Sequence, residues 1–260
     1  MSKLQTAFTR AGRKALVAYV TVGYPDIDTT LRLVPLLAES GCDVVELGIP
    51  FSDPLADGLT IQHASHVALE NGVTPAVCLD VAAKLSHMTD LPLLFMTYYN
   101  LVLHRGLDAF CSGCAGAGVS GLIVPDLPPD EGLALEEAGR RTDLDLIYLV
   151  APTTTDERLR HAAARSRGFL YMVSLTGVTG ARSELDGGLE SFVARARAVT
   201  TLPLCVGFGI SSPSQAARVA GVADGVIVGS RILQLVDEGR ALGAVAEFVR
   251  ELRLAVDSVG

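Results

Sequence analysis

Short apolar and β-branched runs alternate along the chain with stretches whose apolar positions recur at helical spacing. The runs predict strands over 15–22, 43–48, 93–97, 119–124, 145–150, 169–174, 204–207 and 224–228, eight in all. Helical patterns fall between them at 29–40, 60–71 with 75–87, 106–117, 130–141, 156–166, 188–199, 213–221 and 241–257, after a leading helix over 2–10. Runs such as Leu122-Ile123-Val124 and Val226-Ile227-Val228 are apolar at every position, as strands buried on both faces require. In such a βα alternation the strands pair in parallel, each covered by the helix that follows. Gly41, Gly72, Gly118 and Gly221 stand where helix C-caps belong. Pro35 lies inside a predicted helix and is expected to kink or shorten it. An eightfold count favours a closed barrel over an open doubly wound sheet, and no G-x-G-x-x-G follows the first strand. The expectation is one domain over 1–260, a (β/α)8 TIM barrel with an extra N-terminal helix and additional helices.

Composition narrows the range of functions. Hydrophobic residues make up 49% of 260 positions and charged ones 19%, enough for a large core and too little charge for disorder. A net charge of -8 with no basic stripe argues against nucleic acid as a partner. No run of 18 apolar residues occurs, so no membrane span is expected. The first residues lack the layout of a signal peptide, and five cysteines without framework spacing suit a reducing cytoplasm. Cys111 and Cys114 have C-x-x-C spacing, but with Leu107 and Phe110 they follow the stripe of a buried helix face rather than a redox motif. His63 and His66 read as solvated side chains, since no third metal ligand accompanies them.

The chemistry concentrates in Val44 to Gly58, which reads V-V-E-L-G-I-P-F-S-D-P-L-A-D-G. Glu46 ends the second strand, where a barrel opens into its active site. A carboxylate there is costly to desolvate unless it is paired or working. The loop after it carries Pro50, Pro54 and Gly58, a restricted path that brings Asp57 back over the same mouth. Two acids at one cavity suggest proton transfer. Alternatives are that Asp57 helps to cap the following helix, or that Asp53 is the working acid. Gly207-Phe208-Gly209-Ile210-Ser211 after the seventh strand and Gly229-Ser230 after the eighth form a second constellation. Glycines at these two strand ends point backbone N–H groups at an anion, the usual barrel phosphate site, although they also merely end strands in the plainer reading. A third segment, 174–188, is long and glycine-rich for a βα loop and suits a lid centred on Thr179 and Gly180, or else disorder. Tyr19, Tyr98, Tyr171 and Phe208 fall at strand ends and suit an apolar slot for a planar ring.

Four motifs carry a resemblance over essentially the full length: Glu46 to Gly58, Pro125-Asp126-Leu127-Pro128, Thr176 to Gly180, and Gly207 to Ser211. With them the chain resembles the tryptophan synthase α subunit family. The resemblance implies retro-aldol cleavage of indole-3-glycerol phosphate to indole and glyceraldehyde 3-phosphate, with no cofactor in this subunit. It implies that Glu46 delivers a proton to the indole ring and that Asp57 meets the indole N–H as charge develops. It places Thr179 on the lid, and Gly180, Gly207, Gly209, Gly229 and Ser230 in the phosphate cradle. Tyr19, Tyr171 and Phe208 then line the indole slot. The implied partner is a pyridoxal-phosphate β subunit in an α2β2 assembly, docking on Pro50 to Asp53, Asn100 and Asp126 to Pro128. Two positions depart from the family pattern: Leu59 and Leu101 stand where proline is usual. An autonomous lyase without a β partner, and a silent subunit that only activates one, are the competing expectations.

Overall fold

The structure, a computed structural model, describes residues 3–8, 13–173, 188–207, 209–238 and 242–259. In chain order the strands are β1 (Ala15–Thr21), β2 (Val44–Gly48), β3 (Leu93–Met96), β4 (Val119–Ile123), β5 (Asp145–Ile147), β6 (Leu149–Val150), β7 (Leu170–Val173), β8 (Leu204–Gly207) and β9 (Gly225–Val228). All pair in parallel, in the order β5-β4-β3-β2-β1-β9-β8-β7-β6. The ends of that order, β5 and β6, are two halves of one run, so the sheet closes on itself as the predicted barrel.

The predicted single strand over 145–150 is thus interrupted at Tyr148, for an identifiable reason. Its N–H donates to Ser166 Oγ (3.0 Å) rather than to a strand, while its carbonyl accepts from Tyr171 N–H (3.1 Å). Its phenol leaves the barrel wall and donates to the buried carboxylate of Glu136 (2.7 Å), which also accepts from Arg165 Nε (2.7 Å). β5 therefore pairs with β4, and β6 with β7.

The helices are α1 (Lys3–Phe8), α2 (Ile27–Glu39), α3 (Leu59–Glu70), α4 (Pro75–Ser86), α5 (Tyr99–Arg105), α6 (Leu107–Gly116), α7 (Leu133–Arg141), α8 (Asp156–Arg165), α9 (Gly188–Arg197), α10 (Pro213–Ala220), α11 (Ser230–Asp237) and α12 (Leu242–Asp257). Pro35 does not shorten α2, which continues through it to Glu39. The predicted helix over 130–141 begins as a 3-10 turn at Pro129–Glu131 and becomes α-helical only after Gly132. Gly41, Gly72 and Gly118 have positive φ, as left-handed C-caps do, whereas Gly221 ends its helix with φ -62°. The sequence reading missed α5 and α11, which are seven and eight residues long. Cys111 and Cys114 are buried on α6 with Phe110, as the stripe predicted.

The closed end of the barrel is pinned by charge. Asp43, just before β2, accepts from Leu16 N–H (2.9 Å) and from Arg253 of α12 (3.0 Å), and Arg13 approaches its other oxygen at 3.1 Å. The opposite end, where the strands finish, is left for the site.

Candidate active site

Glu46 lies mid-strand in β2, in register with Tyr19 of β1 and Leu94 of β3. Its exposure is 0%. Neither carboxyl oxygen has a hydrogen-bond partner among the described residues. With no donor among the described residues to hold a negative charge, burial pushes the carboxyl up to about 8. At neutral pH Glu46 is chiefly protonated and holds a proton that it can give.

Asp57 arrives from the loop between β2 and α3. A turn closes with Asp57 N–H donating to Pro54 carbonyl (3.0 Å), and Gln62 Nε2 donates to the Asp57 carbonyl (2.8 Å). The capping alternative falls away: Gly58 is the N-cap of α3, and the Asp57 carboxylate turns instead to Tyr98, whose hydroxyl donates to Oδ2 (3.1 Å). Asp57 Oδ1 is buried without a partner. Burial raises the carboxyl to about 6, and the Tyr98 hydrogen bond opposes the rise. Asp53 is exposed and accepts from the hydroxyl of its neighbour Ser52 (2.7 Å), so it faces away from the cavity chemistry.

Two phenols bind the pair into one site. Tyr19 and Tyr171 are buried, and burial raises both hydroxyls well above the usual range, with the charges of Glu46 and Asp57 adding to the rise in each. Glu46, expected at the strand end, is thus mid-strand, and its charge and that of the loop acid act on the same two rings. The Tyr19 hydroxyl also lies 3.3 Å from Thr21 Oγ1. The rings fit because glycines make room. A Cβ on Gly207 would lie 2.6 Å from the Tyr171 hydroxyl, and one on Gly229 would lie 2.9 Å from Tyr19 Cβ. Gly48, two residues past Glu46 on the same face, would collide with the Tyr19 hydroxyl if it carried a side chain. Sequence reasoning missed Gly48, although the i, i+2 spacing from Glu46 was a usable signal.

At the ends of β8 and β9, adjacent strands, the second constellation takes shape. Gly209 has φ +80°, a conformation that glycine adopts without strain. Ser230 opens α11 with no side chain capping it, and Leu233 N–H makes the first closure onto Gly229 carbonyl (3.1 Å). The first-turn N–H groups are thus left without a side-chain cap. Arg231 pairs along its own helix with Glu238 (3.0 Å). Thr179, Gly180, Phe208 and the predicted lid over 174–187 lie outside the described residues. His63 and His66 are exposed, near Asp237 and Glu70, and among the described residues no cluster suits a metal ion.

Two carboxyls with separated proton affinities, set at the strand-end mouth of a closed parallel barrel, define an enzyme of acid–base chemistry. The family model for the tryptophan synthase alpha chain matches residues 6–256. The tryptophan synthase alpha chain of Dehalococcoides mccartyi is 58% identical over 257 residues, covering 99% of this chain and all of the relative. That of Chloroflexus aurantiacus is 50% identical over 264 residues, covering 98% and 99%. Among solved structures, ligand-free tryptophan synthase from M. tuberculosis superposes with a TM-score of 0.91 at 38% identity, covering 99% of this chain and 100% of that one. Tryptophan synthase subunit alpha from Legionella pneumophila gives 0.91 at 33% identity, covering 99% of each chain. The chain belongs to the tryptophan synthase alpha chain family. It is a lyase of tryptophan biosynthesis that cleaves indole-3-glycerol phosphate.

Proposed function

We propose that Glu46 and Asp57 divide the proton chemistry of this cleavage between them. The observation that carries the division is the contrast in their settings: Glu46 is fully buried with neither oxygen partnered among the described residues, whereas Asp57 accepts from Tyr98, and burial pushes the first up to about 8 and the second to about 6. Near neutral pH the first is an acid and the second an anion. Glu46 protonates the indole carbon that bears the glycerol chain, and positive charge develops at the ring N–H. Asp57 Oδ1, buried and unpartnered, accepts a hydrogen bond from that N–H and stabilises the charge. The neighbouring hydroxyl then loses its proton to the Glu46 carboxylate as its carbon becomes an aldehyde. The electron pair of the broken carbon–carbon bond returns to the ring, which leaves as neutral indole. Glu46 ends protonated, as it began.

Tyr19 and Tyr171 wall the indole slot, and the amides at Gly207, Gly209, Gly229 and Ser230 hold the phosphate, with Thr179, Gly180 and Phe208 completing the enclosure. None of these steps routes through a cofactor in this subunit. Pyridoxal phosphate belongs to the β partner that receives the indole, in an α2β2 assembly in the cytoplasm. Leu55, 95% exposed on the loop that carries Asp57, and Leu59, 84% exposed at the start of α3, give that partner an apolar contact beside the site. No described helix is long and apolar enough to cross a membrane.

The test is indole release from indole-3-glycerol phosphate by pure protein, titrated with a β subunit. Strong activation on mixing is the expected result. Undiminished turnover alone would support an autonomous lyase, and no turnover under either condition would support a silent subunit.

A further inference from the structure

The Asp57 loop is held at three points by one side chain. The Tyr98 hydroxyl accepts from Ala56 N–H (3.1 Å) and donates to Asp57 Oδ2 (3.1 Å). Its ring stacks on Phe51, with centroids 5.0 Å apart and planes 28° from parallel. Tyr98 is itself buried, and it is the residue immediately before α5. The backbone there is fixed from the other side: Tyr99 N–H donates to both carboxylate oxygens of Asp126, at 2.9 and 3.2 Å. Asp126 lies in the turn after β4, closed by Leu127 N–H on Val124 carbonyl (3.1 Å). A continuous path of hydrogen bonds and one peptide unit therefore runs from the 126–128 turn to the loop acid.

We propose that Tyr98 is the positioning residue of Asp57, and that Asp126, by fixing the backbone at Tyr99, supports the placement of that carboxylate. The proposal rests on the reading of Asp57 given above. By engaging Oδ2, Tyr98 fixes the carboxylate plane and leaves Oδ1 for the substrate N–H. It also favours the ionised form, since a donor to a carboxylate stabilises its charge. Loss of the Asp126 contact frees the start of α5, and with it the phenol that sets Asp57. The other titratable groups that feel the charge of Asp57 are Tyr19 from β1 and Tyr171 from β7, and both also feel that of Glu46 on β2. Both of these phenols stay neutral across the working range, so Glu46 is the other titrating group, and it marks the opposite limb of the pH profile.

The experiment is steady-state cleavage of indole-3-glycerol phosphate as a function of pH, on the full chain alone and with saturating β subunit. Tyr98→Phe is expected to lower kcat by roughly 10- to 100-fold with KM changed less than threefold, because orientation is lost while the slot persists. Its acid limb moves to higher pH and its alkaline limb stays in place. Asp126→Ala is expected to reproduce both changes more weakly in the protein alone, whereas Asp126→Asn, whose side-chain oxygen still accepts from Tyr99 N–H, restores the wild-type profile. An unmoved acid limb in Tyr98→Phe would overturn the proposal, as would an Asp126→Ala effect confined to the concentration of β subunit required. Asp57→Asn separates the two levels. Loss of cleavage in that variant keeps the site reading intact whatever Tyr98 does, and wild-type cleavage would sink the site reading itself.

Discussion

Glu46 shows how one residue links stability to function. Its folded carboxyl titrates near 8, above the ordinary value of 4.5, so the folded chain holds a proton that the unfolded chain has released. The stability associated with that proton is complete below the unfolded value and is lost as pH rises towards 8. Asp57, raised to about 6, acts in the same direction over a narrower and more acidic window. Replacing Glu46 with Gln removes this penalty. Thermal melts are expected to show the variant gaining on wild type as pH rises from 5 to 9, by ~1–3 kcal/mol at the alkaline end. Cleavage by the same variant should fall by about 10²- to 10⁴-fold, the range for loss of a general acid. A melting difference that does not change with pH would contradict the protonated state assigned to Glu46.

Among the elements, strands and the glycines at their ends decide the shape of the slot. Val173 pairs with Gly207 across β7 and β8, and the missing side chain there is the space that the Tyr171 hydroxyl occupies. Gly207→Ala is expected to displace that ring, lowering stability by ~1–3 kcal/mol in urea titrations and weakening substrate binding more than it slows turnover. A variant with wild-type KM would show that the ring is not part of the slot. At the far end, α12 contributes through Arg253. Arg253→Leu leaves Asp43 buried with only Arg13 and Leu16 N–H as partners. The expected loss is about 2–4 kcal/mol, below the full penalty for a stranded buried charge because two partners remain. Its pH profile of cleavage should match wild type, since Arg253 lies at the closed end of the barrel.

Taken as a whole, the molecule is a machine with two proton affinities at one mouth. Cleavage measured as kcat/KM against pH is expected to be bell-shaped, rising through about 6 as Asp57 ionises and falling through about 8 as Glu46 loses its proton. The values belong to the free enzyme, which is the state that kcat/KM reports. A profile flat from 5 to 9 would dissociate both carboxyls from the rate. Closure of the barrel supports this chemistry, because β2, β1, β9, β8 and β7 run side by side. That order sets the acid, both phenols and both glycine turns around one opening.

Much of this was written in the residues. The continuous apolar runs and the period-3.6 stripes gave all eight barrel positions, because strands buried on both faces must be apolar throughout and their helices must carry one apolar stripe. Glu46 stood out for the same reason, a charge at the end of a run that tolerates none. Short-range pattern could not show where Tyr148 sends its phenol, so the split of the fifth strand stayed hidden, and α5 and α11 went unread. Nor could it distinguish Asp53 from Asp57, two aspartates in one loop. Only the fold turned one towards Tyr98 and left the other in solvent, since desolvation and hydrogen-bond partners are supplied by chain segments more than forty residues away. The amino-acid order determined which groups are present and which runs must be buried; the tertiary structure decided which carboxyl keeps its proton, because proton affinity depends on surroundings that the local sequence does not contain.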